Sequence, residues 1–163
     1  RVLTDDRLVQ ETAFDTNWVV TANFRDEPYL DERFPFSLAA KGLYATNGES
    51  VIAKLEMGGG ATIYVQLADR IYLHPHSGGV EYGGFRTSDP ILLQWEEGGN
   101  YQLTLLNGQR RVQLNTIDIP MKLSIGQFRD EAGNVLTFKD LGDGWIELMI
   151  PADTTIVHWY DDL

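Results

Sequence analysis

An Asn-Gly pair set between two alternating apolar runs constrains this chain more than any other feature. In residues 95–114, W-E-E-G-G-N-Y-Q-L-T-L-L-N-G-Q-R-R-V-Q-L, the pair is Asn107-Gly108. A two-residue type I′ turn needs positive φ at both centres, and Asn and Gly tolerate that best. Folding about this pair sets Leu105 against Arg110, Leu103 against Val112 and Tyr101 against Leu114. Tyr101, Leu103, Leu105, Val112 and Leu114 then share one face, with Gln102, Thr104, Arg111 and Gln113 on the other. A strand pair with one apolar face must be covered, so the pattern predicts sheet packed on sheet.

The rest of the chain repeats this material. Residues 17–24 (N-W-V-V-T-A-N-F) read as a strand rich in β-branched and aromatic residues. Residues 25–33 carry four carboxylates, a proline and a tyrosine without a period, and read as a surface loop. A possible strand over 36–44 is interrupted at Ala39-Ala40-Lys41-Gly42. Asn47-Gly48 is a second turn and leads into 51–57, where Val51, Ala53, Leu55 and Met57 alternate with Lys54 and Glu56. Gly58-Gly59-Gly60 links this run to 61–67. The Lys-Ser/Thr of a phosphate-binding loop does not follow those glycines, so they read as a turn. Further strands are expected over 71–73, 91–95, 135–139, 145–150 and 155–160, and a long one over 117–127, bent or at an edge because Pro120 cannot donate to a ladder.

About ten strand candidates with turn signals at roughly 8–12-residue spacing predict an all-β fold. The expectation is a single antiparallel β-sandwich of about 8–10 strands, of jelly-roll type, with a β-barrel as the alternative. Residues 1–15 are expected to form an N-terminal arm or a short helical turn begun by Thr4, and residues 16–163 the sandwich domain. At 163 residues no staples are needed for stability.

Composition excludes several functions. The net charge is −11, from 24 acidic and 13 basic residues. Phosphate neutralisation needs clustered Lys and Arg, so no nucleic-acid partner is expected. No apolar run reaches the roughly 18 residues of a spanning helix, and no membrane insertion is expected. There is no cysteine, hence no disulfide framework and no thiolate nucleophile or zinc ligand. The first residue is Arg1 and no signal-peptide pattern is present, as in a processed product or a trimmed piece. Virion and extracellular settings are both compatible.

Two residue sets carry candidate chemistry. The first is His74-Pro75-His76 with Glu81. Histidines two apart on an extended segment project to one side, and an imidazole pair with a carboxylate suits a transition metal. The stretch H-P-H-S-G-G-V-E has the spacing H-x-H-x4-E and resembles the first half of the cupin metal motif, a jelly-roll family. That resemblance implies His74, His76 and Glu81 as ligands of a transition metal. It departs from the cupin pattern at Ala68 and Ser88, where glycines stand, and no histidine follows Glu81 before His158. Without that motif no cofactor is expected. Asp140 and Asp143 are a possible calcium pair but lack EF-hand spacing.

The second set is aromatic. Trp18, Trp95, Trp145 and Trp159 lie in strands and read as packing residues. Tyr82 and Phe85, in V-E-Y-G-G-F, are expected to be exposed by the flanking glycines. With Tyr29 they are the binding or interface candidates. Three functions follow. The first is a non-enzymatic structural or assembly protein that associates with itself or with another structural subunit. In outline it resembles single jelly-roll virus coat proteins, with the N-terminal arm and the 80–85 loop as contacts. The alternatives are a carbohydrate-binding or adhesion module with a polysaccharide partner, and a cupin-like metal-binding protein.

Overall fold

The computed structural model describes residues 1–14, 17–34, 36–76, 78–96, 99–108, 111–117 and 128–160. Among them the regular structure is antiparallel β, with one 3-10 turn. The chain divides into two compact units, Arg1–Gly78 and Gly79–Leu163.

The first unit holds β1 (Val9–Ala13), β2 (Val19–Asn23), β3 (Ser37–Leu38), β4 (Leu43–Thr46), β5 (Val51–Met57), β6 (Gly60–Leu67) and β7 (Arg70–His74). Their order is β1-β2-β4-β5-β6-β7, with β3 pairing the far end of β5. β3 and β4 thus form one interrupted strand, broken at residues 39–42 as the sequence suggests. The turns follow from side-chain chemistry. The Asn47 Oδ1 accepts the amides of Glu49 (3.0 Å) and Ser50 (2.7 Å) between β4 and β5. Gly58 (φ 64°) and Gly59 (φ 83°) make the two-residue β5–β6 reversal, the conformation of a type I′ turn.

One face of this sheet is buried, through Thr21, Asn23, Ala53, Leu55, Met57, Thr62, Tyr64, Ile71 and Leu73. Asn23 ties the following loop to it. Its Nδ2 donates to the carbonyls of Glu27 (2.9 Å) and Ala39 (3.0 Å), and its Oδ1 accepts the Arg25 amide (3.1 Å). Every polar atom of that buried amide side chain is therefore engaged, as burial requires.

The N-terminal segment is extended where a helical turn stood as one expectation. A tight turn closes at Arg7 N to Thr4 O (2.9 Å), and β1 follows, paired with β2 from Val9↔Asn23 to Ala13↔Val19. Residues 1–3 fold back along β1 through Leu3 N to Val9 O (2.9 Å) and Glu11 N to Arg1 O (2.7 Å). The Thr4 hydroxyl accepts the Val9 amide across this turn (3.2 Å) and so caps no helix.

The second unit holds β8 (Val80–Tyr82), β9 (Phe85–Thr87), β10 (Ile91–Glu96), β11 (Asn100–Leu105), β12 (Arg111–Asn115), β13 (Arg129–Asp130), β14 (Phe138–Gly142), β15 (Trp145–Met149) and β16 (Ile156–Tyr160). Two sheets, β10-β11-β16-β13 and β14-β15-β12-β9-β8, pack as a sandwich and do not close into a barrel. Ile91, Leu93, Leu103, Leu105, Val157 and Trp159 line the core from the first sheet. Phe85, Val112, Leu114, Ile146 and Leu148 line it from the second. Phe128 bridges them, 5.6 Å from the Trp159 ring and 6.1 Å from that of Phe138.

The hairpin expected at Asn107-Gly108 does not form. β11 pairs with β10 on one side and β16 on the other, so it has no free edge for β12. Residues Leu106–Gly108 form the 3-10 turn, with Asn107 at φ 65°, and carry the chain into the opposite sheet. The predicted apolar set is buried all the same: Tyr101, Leu103, Leu105, Val112 and Leu114 each expose 8% or less. They belong to two sheets of one sandwich rather than to one strand pair. The long strand expected over 117–127 lies, beyond Ile117, outside the described residues.

Candidate functional site

Directly paired residues of an antiparallel ladder project to the same side. In the first unit the registers Val20↔Ala45, Ala45↔Ile52, Ile52↔Val65 and Val65↔Tyr72 therefore draw one apolar row across five strands. The next row runs Lys54↔Ile63↔His74, with Ala22↔Leu43 beyond it. This is the face opposite the buried one. Leu43, Ile52 and Ile63 are 40%, 41% and 42% exposed on it, and Val20, Val65 and Tyr72 are half-buried.

β6 shows the oddity most clearly. Its more apolar side, Ala61, Ile63, Val65 and Leu67, faces outward, and its Thr62 and Tyr64 are the buried residues. The Gly58-Gly59 reversal fixes that register against β5, where Ala53, Leu55 and Met57 must point inward. The Tyr64 hydroxyl meets its hydrogen-bonding need at Gln66 Oε1 (2.6 Å). A strand apolar on both sides is the pattern of a sheet covered on both faces.

At one end of this face Lys54, Ala61, Ile63, His74 and His76 line a pocket of about 250 Å³. The Tyr72 hydroxyl lies 3.0 Å from His74 Nδ1 and orients that ring. The Lys54 Nζ donates to the Ala40 carbonyl at 3.3 Å. A second hollow, of about 420 Å³, is lined by Asp6, Leu8, Phe24, Arg25, Asp26, Glu27 and Lys41. Its charges neutralise one another through Arg25–Asp6 (2.7 Å) and Lys41–Asp26 (3.1 Å). Thr4, first, then the Leu8 amide and Arg25 hold the Asp6 carboxyl below its ordinary value.

Of the residues singled out by sequence, His74 and His76 do come together, on the wall of the smaller pocket. Glu81 is on β8, where its carboxylate accepts from Arg86 Nε at 2.6 Å, and the Arg86 guanidinium stands 3.8 Å over the Trp145 ring. Among the described residues no group of three His, Cys, Asp or Glu side chains could hold a metal ion. His74 and His76 belong to the first unit and Glu81 to the second.

Phe85 is 1% exposed and pairs with Leu114, so it belongs to the core. Gly83 and Gly84 form the β8–β9 reversal between Tyr82 and Phe85, and the first residue of β9 points inward. Tyr82 is half-buried. Tyr29 is also half-buried; its hydroxyl donates to Asp31 Oδ2 at 3.4 Å, and burial, more than the nearby Asp31, raises its pKa. Trp159 (0% exposed) and Trp145 (9%) are packing residues. Sequence reasoning missed the outward row through Ile52 and Ile63. The available signal was the doubly apolar run 61–67.

No protein-family model matches the chain, and neither the curated proteins nor the solved structures give a match.

Proposed function

We propose that this chain is a non-enzymatic structural subunit, a jelly-roll-type β-sandwich protein that joins an assembly through the outward face of the first unit's sheet. Its partner is another copy or a second structural subunit. The observation that carries the reading is β6, whose Ile63 and Val65 face outward while Thr62 and Tyr64 are buried. Fully burying an exposed Val, Ile or Leu side chain is worth about 1.5–3 kcal/mol; Leu43, Ile52 and Ile63, still about 40% exposed, have a part of that each to give to association. Contiguous apolar patches of this kind mark interaction sites.

The electrostatics support a structural role. The carboxyls held well below their ordinary values, Asp31 and Glu131 at about 2, are satisfied by a guanidinium and by hydroxyl and amide donors. The contact surface in this proposal is the sheet face; residues 1–3 fold back on β1 and Phe85 is in the core.

Light scattering coupled to size-exclusion chromatography tests it. The wild-type chain should form oligomers whose population rises with concentration, and Ile52→Glu should shift it to monomer with an unchanged circular-dichroism spectrum. A monomer at every concentration, or association untouched by Ile52→Glu, would sink the reading.

A further inference from the structure

The pocket of Lys54, Ala61, Ile63, His74 and His76 has a character unlike the rest of the molecule. The chain has 24 acidic side chains against 13 basic ones. Accordingly Arg1, Arg25, Arg33, Lys41, Arg70 and Arg86 all sit within 4 Å of a carboxylate. Among the described residues Lys54 does not, nor do Arg7, Arg111 and Lys139, but those three are exposed; the Lys54 amino group meets only the Ala40 carbonyl, at 3.3 Å. It is half-buried, and leaving a half-buried ammonium without counter-charge is unfavourable. No carboxylate lines the pocket, although two of the chain's three histidines do. Glu56 lies two residues along the same side of β5 and is not part of the lining.

We infer that this pocket binds a small organic anion, a carboxylate bearing a compact apolar group. Lys54 supplies the charge, with N–H donors to spare beyond the one given to Ala40. His74 and His76 present ring nitrogens beside it, the first oriented by Tyr72. Ala61 and Ile63 give the apolar floor. The volume, about 250 Å³, is below the roughly 300–1,000 Å³ of sites for drug-sized ligands and suits a single ring. The anion replaces the carboxylate partner that the other paired cations have within the chain, through charge-assisted hydrogen bonds. The pocket shares Ile63 with the face proposed for assembly, so the titration is also run on Ile52→Glu, which that reading makes a monomer, and the two readings can fail separately.

The test is a titration of the full chain with benzoate, followed by amide NMR, with neutral benzamide and inorganic phosphate as controls. Benzoate should give saturable shifts at Lys54, Ala61, Ile63 and His74, and benzamide should give none at the same concentration. Lys54→Met keeps the apolar stem and should weaken benzoate about tenfold, the worth of one charge-assisted hydrogen bond. His76→Gln, at an exposed position that tolerates change, should weaken it as well. Equal binding of benzamide, no saturation, or unchanged affinity in both variants would overturn the inference. Phosphate as strong as benzoate would overturn the role of the apolar floor.

Discussion

The indole of Trp159 stacks on the ring of Tyr101, with centroids 5.3 Å apart and planes 15° from parallel. The two residues face each other across the β11–β16 ladder, and Trp159 is fully buried. Its indole Nε1 has no hydrogen-bond partner among the described residues. The ring therefore contributes through packing and stacking, and its donor contributes a desolvation cost.

Trp159→Phe should accordingly be mild, because it keeps a ring over Tyr101 and removes the unpaired donor. The expected loss is about 1–2 kcal/mol, against about 3–5 kcal/mol for Trp159→Ala. Urea unfolding of both variants decides it; equal losses would mean that a phenyl ring cannot replace the indole in the stack on Tyr101.

Acid sensitivity should trace in part to Glu131. Its carboxylate accepts from the Thr155 hydroxyl (2.6 Å) and from the amides of Thr155 (2.7 Å) and Ile156 (2.6 Å). The Thr155 hydroxyl bond is the largest cause holding its pKa at about 2, against an ordinary 4.5. A carboxyl depressed in the folded state stabilises the fold above its unfolded value, and that contribution fades as pH falls from 4.5 toward 2. The group is exposed, so solvent screening limits it to under about 1 kcal/mol. Asp31, held at about 2 chiefly by Arg33, titrates in the same window, so the readout is a difference. Glu131→Gln should flatten the fall of the denaturation midpoint across that range relative to wild type.

Gly42 should resist substitution. A Cβ there would sit 2.6 Å from the Lys54 carbonyl oxygen and 2.7 Å from that of Ala39, both backbone atoms. Gly42→Ala should cost about 2–3 kcal/mol by overpacking the break between β3 and β4. Gly48→Ala meets open space and only the strain of a φ of 93°, so about 1 kcal/mol is expected. Thermal melts of the two variants should rank them in that order.

The two faces of the first unit's sheet should answer differently to mutation. Ile63→Thr, on the outward side, should change monomer stability by less than about 1 kcal/mol, whereas Leu55→Ala, 1% exposed, should lose about 2–5 kcal/mol. A large loss from Ile63→Thr in dilute, monomeric protein would show that Ile63 is a core residue.

The sequence disclosed strands better than partners. Alternation over 51–57 identified which residues of β5 face inward, because period-2 burial is a local property. Asn107-Gly108 misled, because a turn signal cannot show that β11 already has both edges occupied by strands far along the chain. Glycine pairs at Gly58-Gly59 and Gly83-Gly84 made the tight reversals instead. The shared position of His74 and His76 followed from their two-residue spacing. The place of Glu81 did not, since it depends on a hairpin partner, Arg86, that offers it a guanidinium.

The separation of β11 from β12 also sets when the second unit can fold. β11 needs residues 156–160 for one edge, and β12 needs residues 145–149. A ribosome adding about 5–20 residues per second takes a few seconds to make the intervening chain. During that interval Leu103 and Leu114 have been synthesised but lack their sequence-distant partners. Loop closure over such separations is slow, so Leu103 and Leu114 stay without those partners until residues 145–160 have been made, and the core of the second unit closes only then.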